Sequence, residues 1–177
     1  MVTRSAALLG LLASFTVSVP LWAKGDMVLI EISGASLKSP VQITDRKIEE
    51  FSIWAGPPFS TGDGISTQTE GFIIDWPAGA LSGRPSDLEH YEVRFYVGCK
   101  AGANRDCGDQ KPHLAYVVSY DYDPASKRGF VYLPGKGDPF YYVNIGSIAH
   151  GPEGHWFFAT ASWEGFARPL IANAQRD

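Results

Sequence analysis

A 177-residue chain with 19 acidic residues against 15 lysines and arginines has a formal charge of −4, without the basic excess that a phosphate backbone demands, so nucleic acid is not an expected partner. Its 45% apolar and 13% aromatic content suits one packed core, and the length falls short of what two domains would need.

Arg4 is followed by a charge-free stretch from Ser5 to Ala23 that ends at Lys24. A basic start, an apolar middle and a small final residue are the layout of a secretory signal peptide. Residues 1–23 are expected to be removed, leaving residues 24–177 as one β-rich domain with a charge of about −5. Retention of the segment as a membrane anchor is the alternative, because Leu21 stands where a small residue is usual. The expected location is secreted or periplasmic, with membrane contact only if the segment stays.

Met27–Ile32 is rich in β-branched residues and reads as a first strand, with Pro40–Thr44 returning beside it as a hairpin. Thr44 or Asp45 would cap a short helix that buries Ile48 and Phe51 and stops at Gly56-Pro57. Ala55 to Gly71 is a long Gly-, Pro-, Ser- and Thr-rich loop, followed by a short apolar strand over Phe72–Trp76.

Leu88 to Gly135 carries the clearest pattern, a three-stranded antiparallel meander. Alternation puts Tyr91, Val93, Phe95 and Val97 on one face of its first strand, and Leu114, Tyr116, Val118, Tyr120 and Tyr122 together on its second. Asp123-Pro124 and Gly129 supply the turn into the third, Phe130–Leu133. Phe140–Ile145 and Trp156–Ala161 read as further strands, and Trp163–Ala174 as a short closing helix with Arg168-Pro169 at its start or interrupting it.

The expected fold is mainly β, with a β-rich α+β domain as the alternative: an antiparallel meander in a small sandwich or partly closed barrel, with one or two short helices. Sandwich and barrel are preferred because several runs are apolar on both faces. Cys99 and Cys107 are an even pair in an exported chain and are expected to form a disulfide, worth roughly 2.5 kcal/mol through restriction of the unfolded state. Their spacing fits neither a Cys-x-x-Cys redox pair nor a four-ligand zinc site.

The order of elements, with Ile43-Thr44-Asp45 before the helix, Ile53-Trp54-Ala55-Gly56 after it, Gly129-Phe130-Val131-Tyr132-Leu133-Pro134-Gly135 closing the meander and Asn144-Ile145-Gly146 beyond, resembles a group of small bacterial exported or membrane-anchored proteins. The resemblance implies a bacterial, single-domain protein and brings no activity, cofactor or site residue with it.

Three groups of side chains are candidates for chemistry. His150, Glu153 and His155 place two imidazoles and a carboxylate within six residues, enough for a metal or for acid and base, although the Gly- and Pro-rich spacing favours a turn. Asp121 and Asp123 resemble the first half of a calcium loop that lacks its closing Glu. Trp54, Trp76 and Tyr96 could form an aromatic binding surface, since one sheet leaves room for only part of the aromatic content in its core. No Gly-x-Ser-x-Gly or other nucleophile pattern is present. The expected function is therefore a non-catalytic binding or envelope-interaction domain for an unidentified envelope protein or glycan, with no cofactor. A small metal-dependent or acid/base hydrolase using His150, Glu153 and His155 is the alternative. Convergence of two of His90, His113, His150 and His155 with an acid would favour the enzyme.

Overall fold

The computed structural model describes residues 25–51, 53, 72–86, 88–99, 111–146 and 153–176. Six strands form one antiparallel sheet: β1 (Asp26–Gly34), β2 (Val41–Ile43), β3 (Glu89–Gly98), β4 (His113–Asp123), β5 (Arg128–Tyr132) and β6 (Trp156–Phe158). Their spatial order is β2-β1-β3-β4-β5-β6, so β3, β4 and β5 are the expected meander and lie at the centre. Arg46–Phe51 and Trp76–Ala78 are 3₁₀ turns, and two α-helices follow, α1 (Tyr141–Asn144) and α2 (Ala161–Arg176).

The mainly β architecture with an antiparallel meander is what the chain adopts. The sheet is open, however, with β2 and β6 at its edges, rather than closed into a barrel or faced by a second sheet among the described residues. The layer that covers it is α2, joined by Ile48, Phe51, Ile53 and Phe72–Ile74, all buried in the same core. Trp163, Ala167 and Ile171 recur at helical spacing and bury one stripe of α2 against the sheet. Pro169 lies inside that helix but on its exposed side, as does Gly165, whose carbonyl the Pro ring leaves without its helical donor.

Two bulges alter the simple alternation. A register shift between Met27 and Leu29 lets Met27 face the core together with Ile30 and Ile32. A second shift makes Ala115 the extra residue of β4, so Tyr116 opposes Phe95 while Leu114 opposes Tyr96. Leu114 therefore leaves the face it was expected to share with Tyr116. Phe140–Ile145 is also not a strand: Phe140 adopts a left-handed backbone (φ 66°) and starts α1. Phe72–Trp76 contributes only an isolated bridge, Ile74 to Ala159, before the 3₁₀ turn.

The turn at α1 has a clear physical purpose. Ladder pairing between β4 and β5 stops at Ser119 and Tyr132, leaving the upstream half of β4 without a β5 partner. Asn144 takes that place: its Oδ1 accepts from the Val117 N–H at 2.9 Å and its Nδ2 donates to the Val117 carbonyl at 2.7 Å. A buried side-chain amide thus substitutes for one residue of a strand. Asn144→Ala strands both Val117 groups in the interior and is expected to cost roughly 2–4 kcal/mol. Urea unfolding reads this as a lower midpoint with unchanged slope; an unshifted midpoint would show that solvent replaces the amide.

Between α2 and the sheet lies one polar network. The Tyr120 hydroxyl donates to both carboxylate oxygens of Glu164 at 2.9 Å, and Gly129 leaves the room: a Cβ there would sit 1.8 Å from Glu164 Oε1. Burial pushes the Glu164 carboxyl above its ordinary range, against the opposing pull of the Tyr120 hydrogen bond and the Arg168 charge. A carboxyl with a raised folded pKa binds its proton more tightly in the folded state, so its stabilisation is present in acid and lost as pH rises through that value. Relative to Glu164→Gln, the wild-type unfolding free energy should fall as pH rises from about 4 towards 8. A pH-independent difference between the two proteins in urea titrations would contradict this.

Candidate functional site

Among the described residues the second face of the sheet has no long helix over it. Register places Ser33, Glu92, Ser119, Tyr132 and Trp156 in one row across β1, β3, β4, β5 and β6, and His90, Asp121, Phe130 and Phe158 in the next. Trp156 stacks on Tyr132 with centroids 5.1 Å apart, and Arg84 and Arg128 lie over Trp156 and Phe158 at 5.6 and 3.7 Å.

Within this face Asp121 is the anomaly, a carboxylate with no exposed side-chain surface. His90 Nδ1 lies 2.5 Å from its Oδ1, and Nε and Nη2 of Arg84 both lie 3.1 Å from its Oδ2. A carboxylate only accepts, so Nδ1 carries a proton, and in the neutral ring the lone pair is on Nε2. Both partners are half-exposed, with 52% and 58% of the His90 and Arg84 side chains open to solvent. The arrangement is a buried anchor holding two accessible functional groups in fixed orientation.

His90 also lines a groove of about 620 Å³ at the end of β1 and the start of β3, walled by Ser33–Ser36 on one side and by Glu89 and Glu92 on the other. Glu92 accepts from Arg94 Nε at 2.6 Å. Glu89 accepts from the Tyr91 hydroxyl at 2.8 Å and from Arg168 Nη1 at 3.3 Å. Acid and base are therefore nearly balanced around the groove. A second groove of about 430 Å³ lies between the first 3₁₀ turn and α2, lined by Phe51, Phe166 and Leu170 among others.

The sequence candidates fall apart into separate places. His150 lies outside the described residues, while His155 is exposed and its Nδ1 contacts the main-chain oxygen of Glu153 at 3.0 Å rather than its carboxylate. The charge of Glu153 instead adds to burial in raising the pKa of the Tyr116 hydroxyl. His90 and His113 sit at opposite ends of the β3–β4 ladder. Asp123 accepts from the Ala125 amide at 2.9 Å and from Ser126 Oγ at 2.5 Å, a turn arrangement that lowers its pKa, the Ser126 bond most. Asp121 serves other partners, as described. Tyr96 is on the open face, whereas Trp76 packs edge-on to the buried Phe157 at 5.2 Å on the core face. Trp54 lies outside the described residues, as does Cys107; Cys99 is disulfide-bonded. Among the described residues no three His, Cys, Asp or Glu side chains are grouped to hold a metal ion.

Arg84, Trp156 and Tyr132 were not singled out by sequence, and His90 was not linked to Asp121. The two are 31 positions apart, and only the β3–β4 register, which pairs Tyr91 with Tyr120, sets them opposite each other. No protein-family model matches the chain, and no curated protein or solved structure matches it either.

Removing either Arg84 or His90 leaves Asp121 one cationic or donor partner; removing both leaves a buried carboxylate uncompensated. The Arg84→Ala/His90→Ala double variant should lose more stability than the sum of its singles, approaching roughly 3–5 kcal/mol. Additive losses in urea unfolding would mean that water reaches Asp121 freely.

Proposed function

We propose that the chain is an exported ligand-binding domain of the bacterial envelope that seats a glycan in the His90 groove on the open face of its sheet. The observation that supports this most is the pinning of His90 and Arg84 by the buried Asp121 beside that groove. Polar groups already held in place lose little conformational freedom when a ligand arrives, which is how a small site gains affinity. A volume of about 620 Å³ is that of a small-molecule or short-saccharide site rather than of a protein interface. The hydroxyls of Ser33 and Ser36 and the carboxylates of Glu89 and Glu92 on the groove walls offer the hydrogen bonds that a sugar ring uses. The signal-like N-terminal pattern and the disulfide at Cys99 favour an oxidising compartment.

Ala35 is exposed on the groove wall, so Ala35→Trp fills the groove without touching the core. On an array of bacterial envelope glycans the purified protein should bind a subset, and Ala35→Trp should lose that binding while unfolding at the same urea concentration. Binding to no glycan above background, or equal binding by the variant, would refute the assignment.

A further inference from the structure

A ligand site needs hydrogen bonds, but it does not need a buried carboxylate behind an imidazole. His90 lines the groove, Nε2 is the lone-pair nitrogen of its neutral ring, and the pairing with Asp121 places a negative charge 2.5 Å from the other ring nitrogen. That charge becomes favourable to the extent that Nε2 takes up a proton, which is the requirement for a general base. We propose that the groove hydrolyses carboxylic esters on its bound sugar, with His90 as the base that activates water. This goes beyond a non-catalytic role and rests on the groove being the glycan site.

The attacking group is water, because no side chain among the described residues is set up as a nucleophile on His90. Ser36 Oγ is bonded to the Tyr91 hydroxyl at 3.2 Å and to Gln175 at 3.0 Å. Ser33 stands two positions off His90 diagonally across β1 and β3, with Glu92 as its direct partner. In the step, His90 Nε2 takes a proton from water as the water oxygen bonds to the acyl carbon, and the carbonyl electrons move onto its oxygen. When the tetrahedral centre collapses, the carbon–oxygen bond to the sugar breaks and the departing oxygen recovers the proton from Nε2. Ester and water become carboxylic acid and alcohol, with no other reactant.

The test uses the purified chain with 4-nitrophenyl acetate and 6-O-acetylglucose, following acetate release. Saturable turnover is expected, and His90→Gln, which keeps a donor for Asp121 but has no base, should reduce kcat roughly 100-fold or more. His90 is half-exposed, so this variant should fold. Absence of saturable turnover, or a wild-type rate in His90→Gln, overturns the proposal. If glycan binding that Ala35→Trp abolishes persists without turnover, hydrolysis alone falls; if neither is found, the groove itself is not the ligand site.

Discussion

Trp163 is the side chain on which the helix and the sheet close. Its ring meets Phe51 and Tyr120 edge-on at 5.3 and 5.9 Å, with Phe166 and Phe95 at 6.2 and 6.5 Å, and no part of it is exposed. Among the described residues the indole N–H has no hydrogen-bond partner, a desolvation cost of roughly 1–3 kcal/mol. Burying an indole of about 200 Å² returns about 5 kcal/mol, so packing prevails over the orphaned donor. Thr160 fixes the start of α2 through its side chain, accepting from the Trp163 amide at 3.2 Å, while its own amide is held by Ile73 at 2.9 Å. From there the helix runs over β4 and β3 to the β1–β2 turn, where Gln175 reaches Ser36 and Tyr91. The one long helix among the described residues is thereby committed to one face.

That commitment determines what the other face can be. Several positions there carry the paired charges that a solvated sheet uses, as Glu31, Glu92 and Arg94 do. Asp121 departs from this rule. Opposite Phe130 and fully buried, it could be replaced by an apolar residue of similar volume at little or no cost in stability, because desolvating a carboxylate consumes most of what its ion pairs return. Stability therefore gives no reason for a carboxylate at this position. Orientation of His90 and Arg84 does give one, which is why the argument for function starts there rather than at the more numerous surface ion pairs.

Patterns of period two made the central strands legible, since Tyr91 to Val97 and Tyr116 to Tyr120 alternate as a half-buried sheet requires. The helix over Trp163 to Ala174 was legible, but that it runs unbroken past Arg168-Pro169 was not, because the exposed setting of Pro169 is a matter of tertiary position. Phe140 to Ile145 misled because aromatic and β-branched residues favour strands, and the decisive fact was the backbone demand of Val117, which a remote Asn144 answers. Leu114 misled because one bulge residue, Ala115, reverses the faces upstream of it. The candidate site was the least legible part. Its members come from three separate stretches, Ser33–Ser36, Arg84 to Glu92 and Asp121, and no spacing rule links them without the register.

The two faces are nevertheless mechanically joined, and the joint is Glu89. One of its oxygens accepts from the Tyr91 hydroxyl and from Arg168 of α2, while the residue forms part of the groove wall. Arg168 is itself held by stacking at 3.6 Å over Tyr122, a residue next to Asp121 in β4. The helix on the closed face thus fixes one wall of the groove, and the strand that carries its fixing contact also carries the carboxylate that orients His90. A groove built only from the β1–β2 turn and the start of β3 would move with the fraying of the sheet margin. Tied through Glu89 to a helix that Trp163 anchors in the core, it keeps His90 and its wall in one relative geometry, and that constancy is what a site acting through a single oriented imidazole requires.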